Sequence, residues 1–257
     1  MSSPTRLSAA SPKTGRALPP NWQRAAISQR HTGWSRSTAG TMSSTPTFPR
    51  ACRTNRRFLI NPFGLSSDEV TASNLVKIDI DGNMIGANAH PVNATGFALH
   101  GAVHAAREDA ACVMHLHVRE AIAVSAQPHG LLPGSQHSIR FAGHLAYHDY
   151  EGLAFSPEEG DRLVTNLGRH RAMLLHNHGP LTLGRTIAEA YVLMDMPIKA
   201  CDIQLRALAG VSKIIVPPPD IVTRAVAQLY DDDAIEGALE WPSLIRKLDR
   251  IDPSYRD

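Results

Sequence analysis

Apolar and polar positions fall into regular runs only from Phe58 onward. Residues 58–64 (FLINPFG) form a short apolar run stopped by Pro62 and Gly64. Residues 76–86 alternate apolar and polar around Asp81-Gly82, which predicts a hairpin. Residues 95–106 (TGFALHGAVHAA) suit a helix with Thr95 near its N-cap, and 111–118 (ACVMHLHV) suit a strand. Ser156, Pro157 and Glu159 combine an N-cap, a proline at the first helical position and a capping-box acid, so a helix should run to about Gly168. Residues 172–178 (AMLLHNH) read as a buried strand. Thr186 and Glu189 form a second capping box, opening a helix to about Gly210 that Pro197 should kink. The prolines at 217–219 should end a strand, with helices following near 220–230 and 241–249. Strands and helices interleave, which predicts an α/β fold with a mixed sheet over residues 58–257.

Residues 1–57 show no helical or strand period. They hold ten Lys or Arg and no Asp or Glu. The remaining chain then carries 16 basic and 24 acidic residues, a balance of −8, so the net +2 of the whole belongs to the leader. An acidic core gives no support for nucleic-acid binding. No run approaches the roughly 18 apolar residues of a membrane span. Three cysteines (Cys52, Cys112 and Cys201) make no disulfide framework and point to a reducing, cytoplasmic setting.

Three readings of residues 1–57 compete. One is an organellar transit peptide, suggested by the absence of acid and the wealth of Arg and Ser. The second is a disordered tail. The third comes from codon arithmetic. Synonymous codons for residues 27–55 can be chosen so that the same bases, read in another frame, give LAAAYRLVAVYGWDDVVYTHISARVPDE. That text has an amphipathic helical start and a β-rich continuation, and it joins on just ahead of Phe58. A frameshift is the favoured expectation.

Candidate chemistry centres on histidine. Side chains at i and i+2 of a strand share a face, so His115 and His117 point the same way and can chelate one ion if a third ligand arrives from elsewhere. His178 closes an apolar run before Gly179-Pro180, at the carboxyl end of a strand, where ligand sites of α/β sheets collect. His176 shares its face by the same period and is a rival ligand. His100 and His104 stand i,i+4 on one helix face, where packing is favoured over chelation. Cys112 and Cys201 read as core thiols. No Walker loop, dinucleotide fingerprint or serine nucleophile elbow is present.

The stretch FALHGAVHAAREDAACVMHLH, followed about 60 residues later by LLHNHGPLTLG, resembles the class II aldolase/adducin family. NATGFALH, VSAQPHGLLPGSQ and AYHDYEG are similar to its adducin-type branch, and the alternative-frame text is similar to the family's entry segment. The resemblance implies a three-layer α/β/α fold around a mixed, largely antiparallel sheet. It implies a divalent ion, zinc above others, on His115, His117 and His178. It implies a homotetramer with sites at subunit interfaces, where C-terminal residues such as Tyr255 would reach a neighbouring site unless the tail frays. The implied chemistry is lyase-like (aldolase, decarboxylase or epimerase) on a small hydroxy-carbonyl or sugar-acid substrate.

Two departures temper that implication. The family's proton-handling Glu falls at Gly96, and the carboxylates of Glu108 and Asp109 sit in a turn expected to face solvent. Tyr147 and His148, with Glu151 nearby, are the replacement candidates. The family's phosphate-holding loops map to residues 61–64 and 93–95, giving Asn61, Gly64, Asn93 and Thr95 as substrate contacts. Phe63 suits phosphate poorly, and Arg185 is a further candidate at the site mouth. The alternative is an adducin-head-like binding or assembly module without catalysis, or an inactive frame-shifted product. Cytoskeletal binding is unsupported, because no basic C-terminal tail is present.

Overall fold

The computed structural model describes residues 41–44, 57–153, 157–210, 213–229 and 235–257. Seven strands form one sheet: β1 (Thr41–Ser44), β2 (Arg57–Ile60), β3 (Val76–Asp79), β4 (Cys112–His115), β5 (Leu145–His148), β6 (Ala172–Leu175) and β7 (Gly179–Gly184). Their order is β3-β2-β1-β4-β7-β6-β5. The β5–β6 pair is parallel, and every other pair is antiparallel. The helices are α1 (Ala94–Ala106), α2 (Arg119–Ser125), α3 (Gln136–Ile139), α4 (Pro157–Leu167), α5 (Ile187–Leu208), α6 (Pro219–Leu229) and α7 (Trp241–Ile251).

Strand alternation sorts the core into two layers. Val113, Ala146, Met173, Leu175, Leu181 and Leu183 pack with Leu99 and Val103 of α1 and Leu163 and Leu167 of α4. Their neighbours Cys112, Met114 and Leu174 pack on the opposite face with Ala121 and Val124 of α2 and the stripe Ile187, Ala190, Met194, Ile198 and Cys201 of α5. The sheet therefore lies between two helical layers, as expected of the three-layer α/β/α class. Both thiols are buried, which raises their pKa, that of Cys201 to about 12.

Several elements depart from their expected form. The N-cap of α1 is Asn93, whose Oδ1 accepts from the backbone N–H of Thr95 at 3.1 Å and its hydroxyl at 2.9 Å. The hairpin at Asp81-Gly82 is reduced to a turn with one bridge, Ile78 to Met84, on the edge of β3 that β2 leaves open. β4 stops at His115, although Leu116 and Val118 continue its alternation into the core. No strand precedes the prolines at 217–219: residues 213–218 are irregular, with Ile215 93% exposed. Pro217, Pro218 and Pro219 offer no N–H to a ladder, so no strand can continue through them. α5 runs unbroken through Pro197. Ser156, the expected cap of α4, lies outside the described residues. β1 falls inside the segment read as irregular.

At the second capping box the Thr186 side chain accepts from Glu189 N–H at 3.1 Å, as expected. The Glu189 carboxylate, 0% exposed, reaches back to the N–H of Arg185 at 2.6 Å and pairs with the Arg185 and Arg171 guanidiniums. Arg185 is thus committed to a core carboxylate rather than to a site mouth. Tyr255 is likewise core: it is fully buried, and its hydroxyl bonds to Asp249. It neither frays nor reaches outward.

Candidate metal centre

His115 ends β4, and His117 follows in an extended stretch leading to the Val118 cap of α2. His178 lies in the three-residue turn, 176–178, that joins β6 to the antiparallel β7. Asn177 takes the left-handed conformation this turn needs (φ 59°), which asparagine tolerates better than most residues. The turn is pinned from three sides. Asn177 N–H donates to Ser125 Oγ at 3.1 Å, His176 N–H donates to the His148 carbonyl at 2.8 Å, and His178 N–H donates to the Leu175 carbonyl at 3.1 Å.

Gly179 then brings β7 against the end of β4. Its φ is +145°, and an added Cβ would sit 2.2 Å from the Leu116 carbonyl oxygen. Leu116 N–H donates to the Pro180 carbonyl at 3.2 Å across the same gap. Only glycine allows this approach, and the approach sets His117 beside His178.

The result is a tight cluster. His117 Nε2 lies 3.0 Å from His115 Nε2, which lies 3.3 Å from His178 Nε2. Four ligand atoms at about 2.05 Å around a tetrahedral ion are roughly 3.3 Å apart, so these spacings fit one small divalent ion. His115 Nδ1 stands 3.1 Å from the Pro180 carbonyl. A carbonyl can only accept, so Nδ1 carries the proton and Nε2 presents its lone pair to the cluster. Among the described residues no carboxylate or thiolate joins the three as a potential ligand.

Electrostatics keep the imidazoles neutral. Burial, then His117 and His148, pull His178 down to about 4. Burial, then His178, His117 and His100, hold His115 well below the usual histidine range, and burial lowers His117. Protons therefore compete poorly for the lone pairs near neutrality. A bound divalent ion is expected to be held as pH falls through 6.5, where ordinary histidines take up protons, because His178 resists protonation until about 4. Calorimetric titration at stepped pH checks this, and release already between pH 7 and 6 would contradict it.

The other histidines separate. His176 does not share the cluster, because the turn breaks the strand period: its Nδ1 bonds the Ser125 carbonyl and its ring stacks on Tyr147 at 5.4 Å. His104 packs on Phe58 and bonds the Ala110 carbonyl through Nδ1 at 3.0 Å. His100 is fully buried, with a pKa lowered to about 3 by burial and then by His104. Packing thus accounts for His104, whereas His100, fully buried, also acts on His115 and helps to lower its pKa.

Tyr147 and His148 occupy opposite faces of β5. The Tyr147 hydroxyl accepts from Leu131 N–H at 2.9 Å within the α2/α5 layer, away from the cluster. His148 lies on the cluster's face, 3% exposed. The Asn166 amide donates to its Nδ1 at 2.9 Å, which leaves the proton on Nε2, and that buried N–H has no partner among the described residues. Glu151 pairs with Arg162, Asp109 pairs with Arg107, and Glu108 is exposed, so none supplies the carboxylate missing at Gly96.

Tyr150, which sequence reasoning passed over, stands edge-on to His178 with ring centroids 6.0 Å apart and is 54% exposed. Its place in AYHDYEG was the available signal. Phe63 N–H donates to the Pro91 carbonyl at 2.9 Å, two residues before the Asn93 cap of α1. Gly64 there has a positive φ and open space beside it, whereas the Asn93 side chain is engaged in capping.

Residues 23–205 match the model of the class II aldolase and adducin N-terminal domain. The chain belongs to that family. It is 45% identical over 201 residues to a Caulobacter vibrioides protein named after the class 2 aldolases, a match covering 78% of each chain. It is 43% identical over 156 residues to alpha-adducin of Rattus norvegicus, covering 60% of this chain but 21% of the adducin. Among solved structures it is similar to an aldolase II superfamily protein from Pseudomonas syringae, with TM-score 0.87, 39% identity and coverage of 94% of this chain and 98% of the other. A fuculose 1-phosphate aldolase of Glaciozyma antarctica shares the fold, with TM-score 0.78 at 24% identity over 96% and 97% of the two chains. No helix among the described residues is long and apolar enough to cross a membrane.

Proposed function

We propose that this class II aldolase-family chain is a divalent-metal enzyme with lyase-like chemistry on a small hydroxy-carbonyl or sugar-acid substrate. The observation that carries the reading is the convergence of three neutral Nε2 atoms, with His115 oriented by the Pro180 carbonyl. His115, His117 and His178 would hold the ion, with zinc first in expectation. When bound, such an ion supplies Lewis-acid polarisation of carbonyl and hydroxyl oxygens.

The remaining work falls to this chain's own side chains. His148 presents a buried Nε2–H on the face of the cluster, where an unpaired donor is costly unless a ligand meets it. It is the group we assign to holding and returning a proton at a substrate oxygen, in place of the carboxylate absent at Gly96. Asn61, Gly64, Asn93 and Thr95 are assigned as substrate contacts within the same proposal, and Tyr150 stands beside His178. Oligomerisation as a tetramer and a cytoplasmic setting belong to the same proposal.

His148→Leu is expected to lower turnover by at least about 10²-fold, the range for loss of an acid/base group. Ion stoichiometry should stay unchanged and thermal stability should not fall, since a buried unpaired N–H is removed. Turnover within a few-fold of the parent would remove His148 from the chemistry.

Gly96 and the adducin relatives support a second reading, a binding module that keeps the fold without catalysis. Metal titration of the folded chain separates the two: the module reading expects no divalent ion to bind.

A further inference from the structure

β1 is flanked by β2 on one side and β4 on the other. Ser43 is in register with Ile60 and Val113, and Ser44 with Leu59 and Cys112, all four between 0 and 3% exposed. An inner strand whose cross-strand neighbours are this buried calls for residues that pack against them. The sequence there is Thr-Met-Ser-Ser, of low β-propensity in its serines. Local preference and global position conflict, which is unusual in a chain that otherwise agrees across levels.

We propose that residues 28–55 are a coding stretch read one base out of register, and that the register one base earlier places valine at both serines of β1, Ser43 and Ser44. In that register the second and third bases of every codon are the first two bases of the codon used here, and only the first base is free. A TCN serine codon therefore always yields a codon ending in TC, which encodes Phe, Leu, Ile or Val. At Ser43 nothing remains free: Met42 has the single codon ATG, whose final G makes GTC, a valine codon. Trp34, also with one codon, forces the same result at Ser35. The shift further explains the odd composition. Arginine CGN codons become NCG, encoding alanine among others, and acidic residues reappear in a segment that has none.

The family match supports this placement, because it begins at residue 23 and runs across the segment to 205.

Two measurements test the proposal. The first is the nucleotide sequence across codons 20–58. TCN codons at Ser35, Ser43 and Ser44, with codons throughout that permit LAAAYRLVAVYGWDDVVYTHISARVPDE, are expected. An AGT or AGC codon at Ser43 would give GAG, a glutamate codon, where that text requires valine, and would overturn the proposal. The second is thermal unfolding of the chain as written against a chain carrying that text in place of residues 28–55. The latter is expected to melt at least about 5 °C higher, with S43V/S44V in the written chain recovering part of the shift. A substituted chain that melts at or below the written one overturns the proposal.

Discussion

His178→Ala is expected to reduce divalent-ion binding below detection while leaving the protein folded. Two imidazoles remain, and an open two-ligand site falls short of the three that a catalytic zinc-type centre needs. Loss of an outer-shell partner alone costs roughly 10–100-fold in metal affinity, so loss of a ligand should exceed that. His178 lies in a partly exposed turn, so its truncation leaves no sealed core cavity. Its lowered pKa adds a second, opposite effect. Below pH 6.5 the unfolded chain protonates this histidine, whereas the folded chain resists until about 4, so the ion-free fold loses stability as pH falls through that window. Ion-free His178→Ala should therefore be more acid-tolerant than the parent between pH 6 and 4. Calorimetry for the ion and unfolding curves at two pH values read both effects. Retained binding would exclude His178 from the ligand set.

Gly179→Ala is expected to cost roughly 3 kcal/mol, because its backbone conformation is open to little but glycine. The contact at 2.2 Å with the Leu116 carbonyl adds to that cost. For a domain of this size the shift in Tm is about 6–12 °C. Because β4 and β7 must separate to admit the methyl, His117 and His178 should move apart and ion affinity should fall with stability. A variant that melts as the parent and binds the ion equally would show that the close approach is not needed. Gly64→Ala is the control: its φ is also positive but nothing lies within 4 Å, so it should leave the ion site intact.

Much of the histidine cluster was legible because strand periodicity is local. His115 and His117 needed only the i, i+2 rule, and Met114, Leu116 and Val118 filled the opposite layer as that rule requires. His178 was legible only in part. It sits on a turn, and the same rule applied across that turn wrongly grouped it with His176. β7 was missed because Gly179 and Pro180 look like the end of a strand, yet both are buried at its start, Gly179 to clear the Leu116 carbonyl. Tyr147 and His148 illustrate a different limit: the segment was visible, but which neighbour faced the cluster depended on how β5 joined β6. The apolar run before the prolines looked like a strand because hydrophobicity says nothing about where its backbone donors would pair. β1 was illegible for the opposite reason, since nothing in Thr-Met-Ser-Ser marks an inner strand.

The measurement that bears most directly on the proposed centre is ion stoichiometry. Zinc is titrated calorimetrically into metal-free protein whose fold has been verified by near-ultraviolet circular dichroism, alongside the His115→Ala, His117→Ala and His178→Ala variants. One ion per chain in the parent, lost in each variant, is the predicted result. A folded parent that takes up no zinc, manganese or cobalt would contradict it.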